Sequence, residues 1–287
     1  MVRLRLHCVI AQLIALVLLI PALASAQQRP LVTEDPETVG AGNVLIEGGF
    51  DYSWDNEFPA SGLSGNLLRL PLLGFSVGVS SIAEIQLDGG FHNHLWITDR
   101  DPSAPLYSLV TATGDTTGDV EDAVIGTKVR FLSEGMRRPA FAFRFATRLP
   151  NANNETGLGR DTTDFYATVI AGKTVRSVRV VANGGLGILG DPVDGNRQND
   201  VFLYGVSLAR ALTNKAEVVG EINGWINTRN GEPPAGTDSR GIVRLGARYT
   251  FGSWRADAGI LFGVTPNDPS FGFIGGATYV FSAFRVP

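Results

Sequence analysis

Residues 83–98 read AEIQLDGGFHNHLWIT. Glu84, Gln86, Asp88, His92 and His94 share one parity, and Ala83, Ile85, Leu87, Phe91, Leu95 and Ile97 share the other. A period of two is the signature of a strand, because successive side chains leave a pleated backbone on opposite faces. One face is therefore wet and the other apolar.

The same alternation recurs to the end of the chain, in twelve segments at roughly 44–54, 66–79, 83–98, 119–132, 139–149, 161–172, 178–190, 199–212, 216–229, 240–252, 254–264 and 270–284. Most have the ~10-residue length of a tilted strand that crosses a bilayer. The connectors alternate as well. Those near 55–65, 99–118, 150–160, 191–198, 230–239 and 265–269 are polar and rich in Asp, Asn, Gly and Pro, whereas those near 80–82, 133–138, 173–177, 213–215 and 253 are shorter. Short turns on one rim and longer loops on the other, with an even strand count, define an all-β antiparallel transmembrane barrel of about twelve strands, with its short turns in the periplasm. A secreted β-sandwich explains the alternation of residues but not the alternation of connectors. Glycine, 35 of 287 residues, exceeds the ~7 % of an average protein and suits turns and close strand contacts.

Arg3 and Arg5, the apolar run VIAQLIALVLLI at 9–20 and the site Ala24-Ser25-Ala26 have the layout of a cleaved secretory signal over residues 1–26. Its removal takes two of the 24 basic residues and none of the 28 acidic ones, leaving 22 against 28. An acidic chain is a poor partner for nucleic acid. Cys8, the only cysteine, leaves with the signal, so no disulfide holds the exported protein. Residues 27–43, with Pro30, Pro36, Gly40, Gly42 and the acids Glu34, Asp35 and Glu37, have no strand pattern and form a leader or an inner plug ahead of the barrel at 44–287.

Apolar parity faces lipid: Val44, Ile46, Phe50, Tyr52 and Trp54; Phe141, Phe143 and Phe145; Val218, Ile222 and Ile226; Phe271, Phe273, Tyr279 and Phe281. The up-and-down path sets Trp54, Trp96, Trp225, Phe202 and Tyr204 at the outer rim and Trp254, Tyr249, Phe251, Tyr279 and Phe281 at the inner rim, the two belts of aromatic side chains that membrane interfaces favour. Within the second segment Pro71 cannot donate to a ladder and indicates a bulge.

The other parity is the lumen. It carries Glu84, Asp88, His92, His94, Asp164, Glu217 and Glu221, facing Lys128, Arg130, Arg144, Arg148, Arg179, Arg244 and Arg248, with Glu47, Asp51, Asp122, Asp257 and Arg255 beside them. Opposed charged walls set a transverse field in a narrow pore; paired across strands, the same residues fill the interior. His92-x-His94 lacks a third and fourth metal ligand recognisable by spacing. A serine hydrolase needs a nucleophile elbow at a strand-to-helix turn; the G-x-S-x-G at Gly74–Gly78 lies inside a strand segment with no helical pattern after it, so it is not such an elbow. Gly157-x-Gly159 precedes a strand and not a helix, so it offers phosphate no helix N-terminus, and TEDPETVG at 33–40 lacks the spaced aspartates of a calcium loop. Neither cofactor nor metal is expected.

RPLVTEDPETVGAGNVLIEGGFDYSWD at 29–55 resembles the mature start of barrels in the MetA-pathway of phenol degradation family, and the resemblance continues through 67–88, 120–132 and LPNANNETGLGRDTTDFYATVIAGK at 149–173. It implies an outer-membrane channel-like barrel, in a family some of whose members are encoded near aromatic-degradation enzymes. The chain departs from the common aromatic barrel terminus by ending Arg285-Val286-Pro287. The expected function is passive passage of small solutes, aromatic or hydrophobic ones among them, across the outer membrane of a Gram-negative cell. The expected partners are outer-membrane lipid, the barrel assembly machinery and the solutes themselves. The alternatives are a structural or adhesive barrel with a closed lumen and an outer-membrane hydrolase.

Overall fold

The computed structural model describes residues 29–285; the expected signal segment lies outside them. The leader through Gly42 is irregular, and the chain then runs through β1 (Asn43–Phe58), β2 (Leu63–Gly78), β3 (Ala83–Gly90), β4 (Asn93–Arg100), β5 (Thr116–Asp119), β6 (Val124–Leu132), β7 (Ala140–Arg148), β8 (Asp164–Val175), β9 (Val178–Gly190), β10 (Gln198–Ala211), β11 (Ala216–Asn227), β12 (Arg240–Phe251), β13 (Trp254–Gly263) and β14 (Phe271–Ser282). All pairings are antiparallel, and β1 pairs with both β2 and β14, which closes the sheet on itself.

Fourteen strands make twelve passes. β2 pairs with β4 through Leu63–Arg69 and with β3 through Leu72–Gly78, so β3 and β4 together form the third pass. β5 pairs with β4 and β6 with β3, which makes them the fourth. The barrel is the twelve-stranded one that the alternation predicts, with two passes broken at the same height.

The cause of the break is in β2. Arg69 and Leu72 both point inward although an odd step of three positions lies between them, because the Leu70-Pro71 pair bulges out of the ladder. Pro71 has no N–H to give, and only its carbonyl is used, accepting from Phe91 at 3.2 Å. The neighbouring pass follows: Leu70 donates to the carbonyl of His92 at 2.9 Å, and inward parity jumps from Gly90 to Asn93.

The outer surface is apolar over its whole belt. Phe50, Phe143, Phe145, Val218, Ile222, Ile226 and Phe273 are exposed, as are Ile85, Leu87, Val206, Leu208 and Leu245. So large an apolar patch belongs against lipid and not water. At one rim Trp54 stacks on Phe271 and meets Tyr52 and Phe273 edge to face, and at the other Trp254, Tyr279 and Phe281 pack together. Trp225 is not in a belt: its indole faces inward and donates to the carbonyl of Asp238 at 2.7 Å. The loop expected near 55–65 contracts to a four-residue turn between β1 and β2, which extend past the other strands. Inside that extension Leu63, Leu67 and Leu95 form a small core covered by Phe58, Ile97, Val110 and Leu158.

Candidate functional site

The interior is polar because parity makes it so. Across the ladders, Lys128 stands opposite Arg144, Arg148 opposite Asp164, Glu221 opposite Arg244, Glu217 opposite Arg248 and Arg248 opposite Asp257. Glu221 and Arg244 close to 3.0 Å, and Arg148 reaches Asp164 at 2.6 Å and Asp122 at 3.5 Å. Arg248 lies 3.8 Å from Glu217. Such pairs in a confined interior are strongly destabilising when one partner is removed, by about 3–5 kcal/mol.

The leader crosses this interior. Arg29 lies on the inner face of β1 and β14, 3.6 Å from Asp257 and donating to the carbonyl of Gly275 at 2.7 Å. Gly49 and its partner Gly276 make room for that guanidinium, since a Cβ at either would collide with it. Val32 and Thr33 then donate their backbone N–H groups to Glu221 on β11, and Glu34 donates to Asn183 on β9. At the far wall the leader's acids meet the barrel's bases. Glu34 takes Lys128 at 3.2 Å and Arg144 at 3.1 Å, Asp35 takes Arg179 through two bonds of 2.7 and 2.9 Å, and Glu37 takes Arg130. Val39 then meets the third pass by donating to Glu84 at 2.7 Å.

Lys128 is the centre of this arrangement. It is fully buried and donates to Glu34, to Glu84 at 2.9 Å and to the carbonyl of Asp35 at 2.9 Å, so each ammonium proton has an acceptor. Arg144 is similarly held by Gln86 at 2.6 Å and, more distantly, by Asp88 at 3.8 Å.

Above the leader the interior is hollow. A cavity of about 460 Å³ has Leu31–Glu34 as its floor and Leu72, Asp88, Arg144, Tyr166, Asn183, Leu203 and Trp225 in its walls. A second, of about 330 Å³, lies toward the long loops and is lined by Arg69, Arg148, Arg160 and Arg240 among others. The two share Glu121, Asp122, Val124, Tyr166 and Trp225, so they lie in series between the loops and the leader. Where the third and fourth passes break, an apolar hollow of about 290 Å³ opens on the lipid face between Leu73, Phe75, Leu87, Phe91, Val120 and Ala123; it shares Asp88 and Glu121 with the larger inner cavity.

Twelve residues expected at the lumen do face it: Glu84, Asp88, Lys128, Arg130, Arg144, Arg148, Asp164, Arg179, Glu217, Glu221, Arg244 and Arg248. His92 and His94 do not. His94 pairs with Leu68, which pairs with Tyr52 on the lipid face, and its ring packs on Trp96 with centroids 4.4 Å apart; His92 lies beside it at 5.9 Å. The bulge opposite Pro71 reverses parity between Asp88 and His92, and Asn93 and Leu95 take the inward places. Neither imidazole is hydrogen-bonded to a hydroxyl among the described residues. The leader's acids meet Arg144, whereas Arg148 and Arg244 are engaged by wall acids and Arg248 takes the Arg29 carbonyl at 2.6 Å. Arg69, Arg160, Arg240, Tyr166 and Trp225 escape a parity reading, being next to the bulge, in a loop, at a strand end, or apolar in composition though inward in place.

No protein-family model matches the chain, and no curated protein does. Among solved structures, the COG4313 outer membrane channel from Pseudomonas putida F1 superposes with a TM-score of 0.61 at 12 % identity, over 86 % of this chain and 98 % of that one. The translocator domain of the autotransporter NalP from Neisseria meningitidis gives 0.47 at 14 % identity over 84 % and 89 %, and the Pseudomonas putida toluene transporter TodX gives 0.40 at 10 % over 87 % and 92 %. At 12 % identity the first likeness establishes a common fold: this chain is a closed twelve-stranded β-barrel of the outer-membrane type.

Proposed function

We propose that the protein is an outer-membrane channel of a Gram-negative cell, through which small solutes, apolar and aromatic ones included, pass without being chemically changed. The observation that carries this reading is the hollow, loop-side interior that ends on a floor made of the chain's own leader. Besides the buried Leu31, that floor is held by ion pairs and hydrogen bonds to Lys128, Arg130, Arg144, Arg179 and Glu221. Water or a polar solute can replace such contacts as they break, so a segment seated mainly this way is more readily displaced than a hydrophobically packed plug. The apolar hollow at the wall break and the sequence resemblance to the MetA-pathway family favour solutes with an apolar part.

Planar-bilayer recording of the full-length protein, and of a variant lacking residues 30–41, tests the reading. Intermittent conductance in the first and steady, larger conductance in the second are expected. A second reading, a structural barrel with a closed lumen, is favoured by the satisfied ion pairs around Lys128. It predicts no conductance in either protein.

A further inference from the structure

The loop-side cavity carries more donors than its acids can take up. Arg69 reaches Asp51 and Glu121, each at 3.2 Å. Arg148 and Arg160 share one fully buried carboxylate, Asp164, both at 2.6 Å. Even so, Arg69 Nε, Arg148 Nε and Arg160 Nη1 are buried with no hydrogen-bond partner. Arg240 has no carboxylate within 4 Å among the described residues; its Nη2 donates only to the carbonyl of Glu57, at 3.3 Å. Each guanidinium presents five N–H groups in a plane, and a carboxylate takes two of them at once.

The rest of the lining is not that of a site for a bare inorganic anion. Leu67, Leu158 and Leu189 line it, and the rings of Tyr166 and Trp225 stand between this cavity and the deeper one. We infer that the cavity binds a small organic carboxylate with a ring or short apolar chain, its carboxylate held by Arg240 and the free N–H groups of Arg148 and Arg160, and its apolar body against Trp225 and Tyr166. This names a solute class for the proposed channel and rests on that reading of the interior as a path. The carboxylates already present leave Arg240 open: Asp51, Glu121, Asp122 and Asp164 are each engaged by an arginine, and Asp268, Asp238 and Glu57, whose charges reach Arg240 through space, form no ion pair with it within 4 Å among the described residues. Arg160 lies in the loop before β8, where burial and the neighbouring Arg148 charge push its pKa down against the pull of Asp164.

Calorimetric titration of the full-length protein in detergent, in a low-salt buffer free of carboxylates and phosphate, tests the inference with benzoate, its neutral isostere benzamide, and acetate. Saturable benzoate binding is expected, with benzamide and acetate weaker, and with Arg240→Gln weakening benzoate on the order of tenfold or more, the 1.4 kcal/mol per decade of one lost charge-assisted contact. Arg240→Lys should fall between. Compact, heat-resistant migration on a gel verifies that each variant folds. Equal affinity for benzoate and benzamide, unchanged affinity in Arg240→Gln, or no benzoate binding overturns the site. Binding does not require an open channel, so saturable benzoate titration alongside absent conductance would defeat the channel reading and leave the site standing, whereas conductance without benzoate binding would do the reverse.

Discussion

Glu34→Gln isolates the seating of the leader from the stability of the barrel. The native carboxylate accepts from Lys128 at 3.2 Å, from Arg144 at 3.1 Å and from the amide of Gln86 at 3.2 Å. After the substitution Lys128 keeps Glu84 and the Asp35 carbonyl, and Arg144 keeps Gln86, so no wall charge is stranded. What is lost is two charge-assisted contacts, each about 1.5–3 kcal/mol, partly replaced by the new amide oxygen, for a net of roughly 2–4 kcal/mol on the leader alone. At 1.4 kcal/mol per decade the ratio of displaced to seated leader rises from roughly thirtyfold to several hundredfold. Single-channel recording reads this as open probability. Asp191→Asn, in a loop pair with Arg197 away from the leader, should leave it unchanged. Lys128→Met should instead weaken the whole barrel, since it leaves Glu34 and Glu84 buried with less compensation, a loss of about 3–5 kcal/mol. Unchanged open probability in a correctly folded Glu34→Gln protein would refute the argument that ion pairs seat this segment.

Other outcomes follow from the same geometry. Phe143→Arg, on the lipid face, should cost on the order of 2–4 kcal/mol of barrel stability by denaturant titration in micelles, and Leu203→Arg, which enters the inner cavity, distinctly less; equal losses would show that the facing is wrong. Ala142 is no substitute for Leu203 in that comparison, because it packs with Ile170 and Val181 in a dry inner patch. Single cysteines at Thr113 and Asn196 should react with an impermeant thiol reagent on intact cells while one at Met136, exposed in the β6–β7 turn, should not. The Glu134 carboxyl in that turn is opposed by its burial, yet the Thr174 N–H, Lys173 and Arg179 hold it below its ordinary pKa of 4.5. A depressed carboxylate contributes stability above its unfolded pKa and loses it as pH falls through the folded one, so the deficit of Glu134→Gln at neutral pH should vanish on acidification. A deficit that persists at low pH would assign the effect to packing.

The fold was legible in the sequence because a barrel wall is a one-dimensional problem. Parity assigns each side chain to lipid or lumen, and connector length assigns each turn to a rim, so twelve passes and twelve lumen residues could be named before any pairing was known. Parity fails where one residue is added. Pro71 signalled the bulge, but that its neighbour across the ladder must shift with it, turning His92 and His94 out beside Trp96, is a property of two strands together. The leader's acids were readable as ligands for lumen bases, and only the folded barrel decided which bases: Lys128, Arg130, Arg144 and Arg179 stand where residues 34–37 arrive, while Arg148 and Arg244 already have wall acids opposite them. Arg160 and Arg240 belong to a loop and a strand end, where no period constrains direction, so their meeting with Arg69 and Arg148 in one cavity is decided by how the barrel closes. A repeating pattern fixes facing; distance across a lumen is set only when the sheet curves round to meet itself.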